Sequence, residues 1–180
     1  MMKKTIVTLL LAVVCATSFA QLSKLPQRLS LVEISSDIAG NKERLEVFNM
    51  PQDDVNSYYL SVGHLGIGDE VVQIMFDPIC ELFIPLGGTV AEALETFQQL
   101  QGLFKEPEGT CMEIQGCLSV AFPGDELETV SVTFRKPLLS RMLEFSLRRG
   151  DYIRATHIQR SDFNSLVSGV RLYGKIHPKE

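Results

Sequence analysis

The sequence has few of the residues from which catalytic and metal sites are built. Of its 180 residues, three are histidine and four are cysteine. His64, His157 and His177 do not form a metal-spaced pair such as H-E-x-x-H. Ser119 precedes Val120-Ala121, outside any G-x-S-x-G elbow, and reads as an ordinary strand hydroxyl. The run Gly63-His64-Leu65-Gly66-Ile67-Gly68 does not follow the G-x-G-x-x-G order, and a strand-like segment comes next. Without a helix N-terminus it offers a phosphate no cradle, so a hairpin turn is expected there. Asp53-Asp54-Val55-Asn56 lacks the spaced oxygens of an EF-hand loop and reads as an acidic turn after Pro51. These absences leave no catalytic residue, metal ligand or cofactor to assign. A cysteine or histidine site stays open only because such partners meet in space and not in sequence.

An excess of positive charge is also missing. The chain carries 17 basic and 22 acidic side chains, a poor balance for nucleic acid, which is not expected as a partner. The distribution is uneven. Residues 21–130 hold five basic and 18 acidic groups, whereas residues 131–180 hold ten and four. Packing the two parts together, or pairing them across strands, cancels these fields and is the expected arrangement. The alternative is a basic surface for an anionic ligand or partner.

Long apolar runs are absent apart from one at the start. Met1-Met2-Lys3-Lys4 leads into an apolar stretch from Ile6 to Cys15, and Ser18-Phe19-Ala20 precedes Gln21. A basic start, a short apolar core and small residues three and one before a cut form the secretory pattern. The core is short of the roughly 20 apolar residues needed to span a bilayer. We therefore expect a cleavable signal over residues 1–20 and a single α+β domain over 21–180, secreted or periplasmic. Lipoprotein anchoring at Cys15 would need a small residue before it, and Val14 stands there. The best later run, Val71 to Phe76, suits a buried strand and not a membrane span.

Signal removal leaves Cys80, Cys111 and Cys117, and an oxidising compartment permits one disulfide among them. On one straight strand Cys111 and Cys117 would stand about 20 Å apart, at ~3.3 Å per residue, too far to bridge. A bond between them would require a turn near Gln115-Gly116. Buried free thiols are the simpler expectation.

Of the elements, Val90 to Phe104 is the clearest. Thr89-Val90-Ala91-Glu92 fits the capping box, and Val90, Ala93, Leu94, Phe97, Leu100 and Phe104 form one apolar stripe. Lys105-Glu106-Pro107 ends the helix. Ahead of it, strands are expected at Leu29–Ile38, Arg44–Met50, Tyr58–His64, Val71–Asp77 and Glu81–Ile84, with a turn at Ala39-Gly40-Asn41-Lys42. Behind it, apolar residues alternate at Met112, Ile114, Leu118 and Val120, at Val130, Val132 and Phe134, and at Leu143, Phe145 and Leu147. Period two with polar residues between predicts an antiparallel meander with one buried face.

A three-residue loop Arg148-Arg149-Gly150 is expected to set the next register, with Phe145 opposite Ile153, Leu143 opposite Ala155, Glu144 opposite Arg154 and Ser146 opposite Tyr152. His157 then ends a core-facing row. A short capped helix follows at Ser161 to Val167, and a last strand turns Val170, Leu172 and Ile176 inward. The expected fold class is α+β, mainly antiparallel β-sheet packed against one principal helix (about 90–104), with a short second helix near 162–168. From Glu81 onward this order resembles helix-against-curved-sheet folds of the cystatin-like or TATA-binding-protein-like kind. The resemblance implies a fold and no activity.

The most coherent polar feature is the outer face of the late meander, where Ser131, Thr133, Arg135, Glu144, Ser146, Arg148, Tyr152, Arg154 and Thr156 fall on the side away from the apolar rows. Ser131, Thr133, Ser146, Tyr152, Arg154 and Thr156 are the candidate binding residues, for a partner protein, a glycan or a small anionic ligand. A solvated face made of good strand formers is the plain alternative. Leu138 and Leu139 form an apolar tip in the connecting loop, unless they tuck under the sheet. The leading expectation is an exported, non-catalytic binding or interaction protein. An enzyme with a thiol or histidine site around Cys80, Cys111 or Cys117 is the second reading. The third is a structural envelope component, which would carry a large exposed apolar patch.

Overall fold

The computed structural model describes residues 27–38, 41–51, 55–63, 66–67 and 81–178. The expected signal segment, the Val71–Asp77 strand, His64 and Cys80 lie outside the described residues, and Tyr152 and Arg154 are described by their backbone alone. Strands β1 (Leu29–Ile38), β2 (Asn41–Asn49), β3 (Tyr58–Val62), β4 (Gly66–Ile67) and β5 (Glu81–Gly87) precede helix α1 (Val90–Leu103). Strands β6 (Cys111–Ser119), β7 (Glu128–Arg135), β8 (Met142–Arg149) and β9 (Tyr152–Gln159) lead to helix α2 (Arg160–Ile176). The strands form one antiparallel sheet in the order β1-β2-β3-β5-β6-β7-β8-β9-β4, and the fold is α+β.

The alternating rows of β7 and β8 are buried as expected, whereas in β6 Met112, Ile114 and Leu118 are half-buried and Val120, expected in the same row, lies beyond the strand and is exposed. Val130 pairs with Leu147, Val132 with Phe145 and Phe134 with Leu143, and all six side chains lie in the core. Val90, Ala93, Phe97, Leu100 and Leu103 bring the apolar stripe of α1 against this layer and against Leu60, Leu82 and Ile84 of β3 and β5. Each fully buried large apolar side chain contributes about 1.5–3 kcal/mol, which is what orients the helix.

The cap differs in one detail from the capping box. The Glu92 backbone N–H donates to the Thr89 hydroxyl at 3.2 Å, but the Glu92 carboxylate accepts from the N–H of Gly88, at 2.6 Å, and not from that of Thr89. Gly87 makes this possible. Its φ is +111°, and a Cβ there would stand 2.4 Å from the Glu92 carboxylate.

At Gly116, β6 changes partner. Residues Cys111 to Gly116 pair with β7, and Cys117 to Ser119 pair with β5. A Cβ at position 116 would meet Val130 at 2.9 Å and the Phe83 carbonyl at 3.1 Å, so only glycine lets the two halves of the sheet close here. Cys111 and Cys117 share this strand, so the spacing argument against a bond between them holds, and both are free thiols.

Three expectations are corrected. Gly66-Ile67 is not a hairpin turn, because it pairs as a short strand with Ala155-Arg154 of β9. The β8–β9 loop has two residues, Gly150-Asp151, with Arg149 opposite Tyr152. Gly150 at φ +61° supplies the first position of a tight primed turn, which matches the strand twist better than the longer loop. Phe145 therefore faces Thr156, Leu143 faces Ile158, and Glu144 faces His157 instead of Arg154.

The third correction concerns the C-terminal segment. Among the described residues no strand follows the second helix; α2 runs unbroken to Ile176. Phe163, Leu166, Val167 and Val170 are buried at spacings of one, three and four, the stripe of an amphipathic helix. Gly169 and Gly174 lie inside it as contact points, not breakers. A Cβ at 169 would meet both Val32 methyls at 2.8 Å, and one at 174 would meet Val90 at 2.9 Å. Helix α2 thereby packs on β1 and on the start of α1. Phe163 joins the ends of the core, edge-on to Phe97 at 5.6 Å and to Phe104 at 5.9 Å.

Candidate functional site

The outer face of the sheet, away from both helices, divides into a covered and an open region. The covered region lies over β2, β3, β5 and β6, where Phe48, Met50, Phe83, Cys117 and Tyr59 form a second, small apolar cluster. Arg28 lies across it. Its guanidinium stands 4.4 Å from the Phe48 ring and 5.5 Å from that of Phe83. It pairs with Glu46 and, at 2.9 Å, with Glu81, and it donates to the Ala121 carbonyl at 3.2 Å.

Glu46 is 1% exposed and also pairs with Arg44, while Ser61 donates to Glu81 at 2.6 Å. A buried carboxylate is stable only when charge and hydrogen bonds compensate its desolvation, and two arginines do so here. This network was not anticipated from the sequence. The available signal was an acid inside the run Leu45-Glu46-Val47-Phe48.

Cys117 sits beneath the same cover and accepts a hydrogen bond from the Gly124 N–H at 3.3 Å. Burial pushes its thiol pKa up, outweighing the Gly124 bond that pulls it down, and the charges of Glu128 and Asp125 push in the same direction as burial. The thiolate, the reactive form, is disfavoured. Cys111 at the other end of the strand is exposed. Native alkylation followed by peptide mass mapping is expected to modify Cys111 and to spare Cys117 until the chain is unfolded. Fast labelling of Cys117 in the folded protein would contradict its burial.

The open region covers β6 to β9. Register places two polar rows across it, Cys111–Thr133–Glu144–His157 and Glu113–Ser131–Ser146–Ala155. In the first, Arg135 donates to Glu144 from two nitrogens at 2.9 and 3.3 Å, and His157 Nε2 is 3.1 Å from the other carboxylate oxygen. Partial burial raises the Glu144 pKa, but the bonds from Arg135 and His157 outweigh it, and the group is held below its ordinary value. Glu144 is therefore a fixed anion at neutral pH, an orienting group more than a proton shuttle. Cys111 and His157 are separated by two intervening strands, about 14 Å at ~4.8 Å per strand, so they do not form a nucleophile–base pair.

In the second row Ser146 donates to the Ser131 carbonyl at 3.3 Å. Beside it the surface sinks into a shallow depression of about 670 Å³ lined by Glu128, Thr129, Ser131, Ser146, Arg148, Gly150 and Ile153.

The six candidate binding residues are thus divided. Ser131, Thr133 and Ser146 are on the outer face, with Thr133 buried between its neighbours. Thr156 is 2% exposed and stands opposite core residue Phe145. The backbone of Arg154 is opposite Leu147 and that of Tyr152 opposite Arg149, so neither shares a row with Ser131 or Ser146. The two-residue loop moved His157, Ala155 and Ile153 onto the outer face in their place. His157 belongs to this polar face and not to a core-facing row.

No cluster of metal-ligating side chains occurs among the described residues, and none of their helices is long and apolar enough to cross a membrane. Asn56, at the end of the acidic turn, bonds Asn49 at 3.0 Å in a loop-closing contact. Comparison with protein-family models, with curated proteins and with solved structures finds no match.

Proposed function

We propose that the chain is an exported, non-catalytic binding module that takes a neutral, hydroxyl-rich ligand, a glycan, on the outer face of β7 and β8. The observation that carries this reading is the depression at Thr129, Ser131, Ser146, Arg148, Glu128 and Ile153. Its hydroxyls, an arginine and a carboxylate offer donors and acceptors of both senses, the mixture that sugar hydroxyls satisfy. Ile153, 46% exposed, supplies an apolar floor for the C–H face of a sugar ring. Three hydroxyls, of Thr129, Ser131 and Ser146, stand against a single arginine, Arg148, which favours the neutral ligand over a sulfate or phosphate. The export half of the proposal rests on Lys3-Lys4, the apolar run to Cys15 and the small residues before Gln21.

Titration of the isotope-labelled protein with neutral chito- and cello-oligosaccharides, followed by backbone amide shifts, tests the site. Shifts are expected in residues 128–131 and 146–153, with affinity lowered about tenfold in Arg148→Ala, the loss of one charge-assisted hydrogen bond. Shifts confined to another surface, or a stronger response at this site to sulfate, would remove the proposal.

A further inference from the structure

The β7–β8 hairpin ends in Arg135-Lys136-Pro137-Leu138-Leu139-Ser140-Arg141. The tip is a tight turn in which the Ser140 N–H donates to the Pro137 carbonyl at 2.9 Å. Leu138 and Leu139 are essentially fully exposed, at 96% and 102%, whereas the other large exposed apolar side chains among the described residues reach at most 65%. They do not tuck under the sheet. Leu138 also has φ +51°, the only positive value at a non-glycine residue among those described. Leucine pays a steric penalty in this left-handed region that glycine or asparagine avoids. Backbone strain of this kind clusters at ligand clamps and switch regions.

The flanks identify the occupant. Lys136 and Arg141 are exposed on either side of the leucines, and no acidic residue occurs between Glu128 and Glu144; Arg135, one residue further back, is held by Glu144 and is not counted with them. The acid nearest the tip in the described contacts is Glu108, whose carboxylate accepts from the Lys136 backbone N–H at 3.1 Å and leaves the ammonium outside that bond. Two leucines on a turn offer far less than the roughly 800 Å² per partner of a stable protein interface. They suit insertion into the acyl boundary of a bilayer, with cations at the level of anionic headgroups.

We propose that this tip is a membrane-docking wedge for bilayers rich in anionic phospholipid. Strands β7 and β8 have eight residues each, so the tip stands roughly 25 Å, at ~3.3 Å per residue, from the Gly150 end of the hairpin. With the tip in lipid, the depression beside Gly150 faces away from the membrane. The proposal does not depend on what that depression binds.

The chain has no tryptophan, so Leu139→Trp in the full chain makes a single local reporter. Its emission is expected to shift to the blue with phosphatidylglycerol vesicles and to be quenched by acyl-brominated lipid, but not with phosphatidylcholine vesicles. Adding Leu138→Gly, which relieves the left-handed strain and so keeps the fold, should weaken the response at least tenfold. Lys136→Glu with Arg141→Glu should abolish the preference for phosphatidylglycerol. An Asp151→Trp reporter at the opposite turn should not respond. Three results overturn the proposal: no shift on adding vesicles, vesicle binding with the position-139 reporter still in water, as when residues 1–20 alone bind, or a lipid-independent shift that grows with protein concentration.

Discussion

Replacing Phe163 by alanine is expected to lower the unfolding free energy by about 3–5 kcal/mol, the usual cost of deleting a fully buried phenyl ring. Phe163 is fully buried and lies edge-on to Phe97 and Phe104, whose ring in turn meets Phe134 at 5.9 Å. One side chain therefore links α2, the end of α1 and β7, and neighbours fixed by two helices collapse little into the space left. Leu172→Ala is the internal comparison. Leu172 is 59% exposed on the solvent side of α2, so its loss should change stability by less than about 0.5 kcal/mol. A C-terminal strand with Leu172 turned inward would instead make both losses large, about 2–5 kcal/mol for Leu172→Ala. Urea denaturation of both variants decides between the two, provided the slope is unchanged so that midpoints report stability alone.

That contrast also marks where sequence reasoning succeeds and where it fails. Helix α1 was legible because three local signals agree: the Thr89 cap, a stripe that repeats at helical period, and Pro107 as the stop. The rows of β7 and β8 were legible because alternation needs no knowledge of the partner strand. Helix α2 was legible only in its first half, Ser161 to Val167, because its C-terminal half satisfies two periods at once. Val170, Leu172 and Ile176 alternate with Arg171, Tyr173 and Lys175, while Phe163, Leu166, Val167 and Val170 repeat helically. Gly169 and Gly174 favour the strand reading only until their contacts with Val32 and Val90 are seen.

The candidate site failed by a shift of three residues in register, an odd number, which turns β9 over and exchanges its two faces. Gly150 suits a two- or a three-residue loop, and the choice lies between burying Ile153 with Ala155 and burying Thr156 with Ile158. Apolar counting prefers the first pair. The protein adopts the second, because Ile158 then packs with Leu143 in the core and β9 runs directly into α2, the Arg160 N–H donating to the Arg141 carbonyl at 2.8 Å. Ser131, Thr133 and Ser146 survived as outer-face residues because β7 and β8 were placed by alternation alone. Tyr152, Arg154 and Thr156 depended on the loop.

Arg28→Ala is expected to cost about 3 kcal/mol, at the lower end of the 3–5 kcal/mol for breaking a buried pair, since Arg44 still faces Glu46. Removing the guanidinium leaves Glu46 with one of its two cations and takes away a partner of Glu81. It also uncovers Phe48 and Phe83, over which the side chain lies, so packing is lost together with charge. The two contributions separate in a double-mutant cycle. If the ion pair dominates, adding Glu46→Gln to Arg28→Ala restores part of the lost stability, because the buried carboxylate left with one of its two cations is replaced by a neutral amide. If covering the rings dominates, Arg28→Met retains most of the stability although the charge is gone. Equal losses in Arg28→Ala and Arg28→Met, with no recovery on adding Glu46→Gln, would mean that neither contribution holds the segment after residue 26 against the sheet.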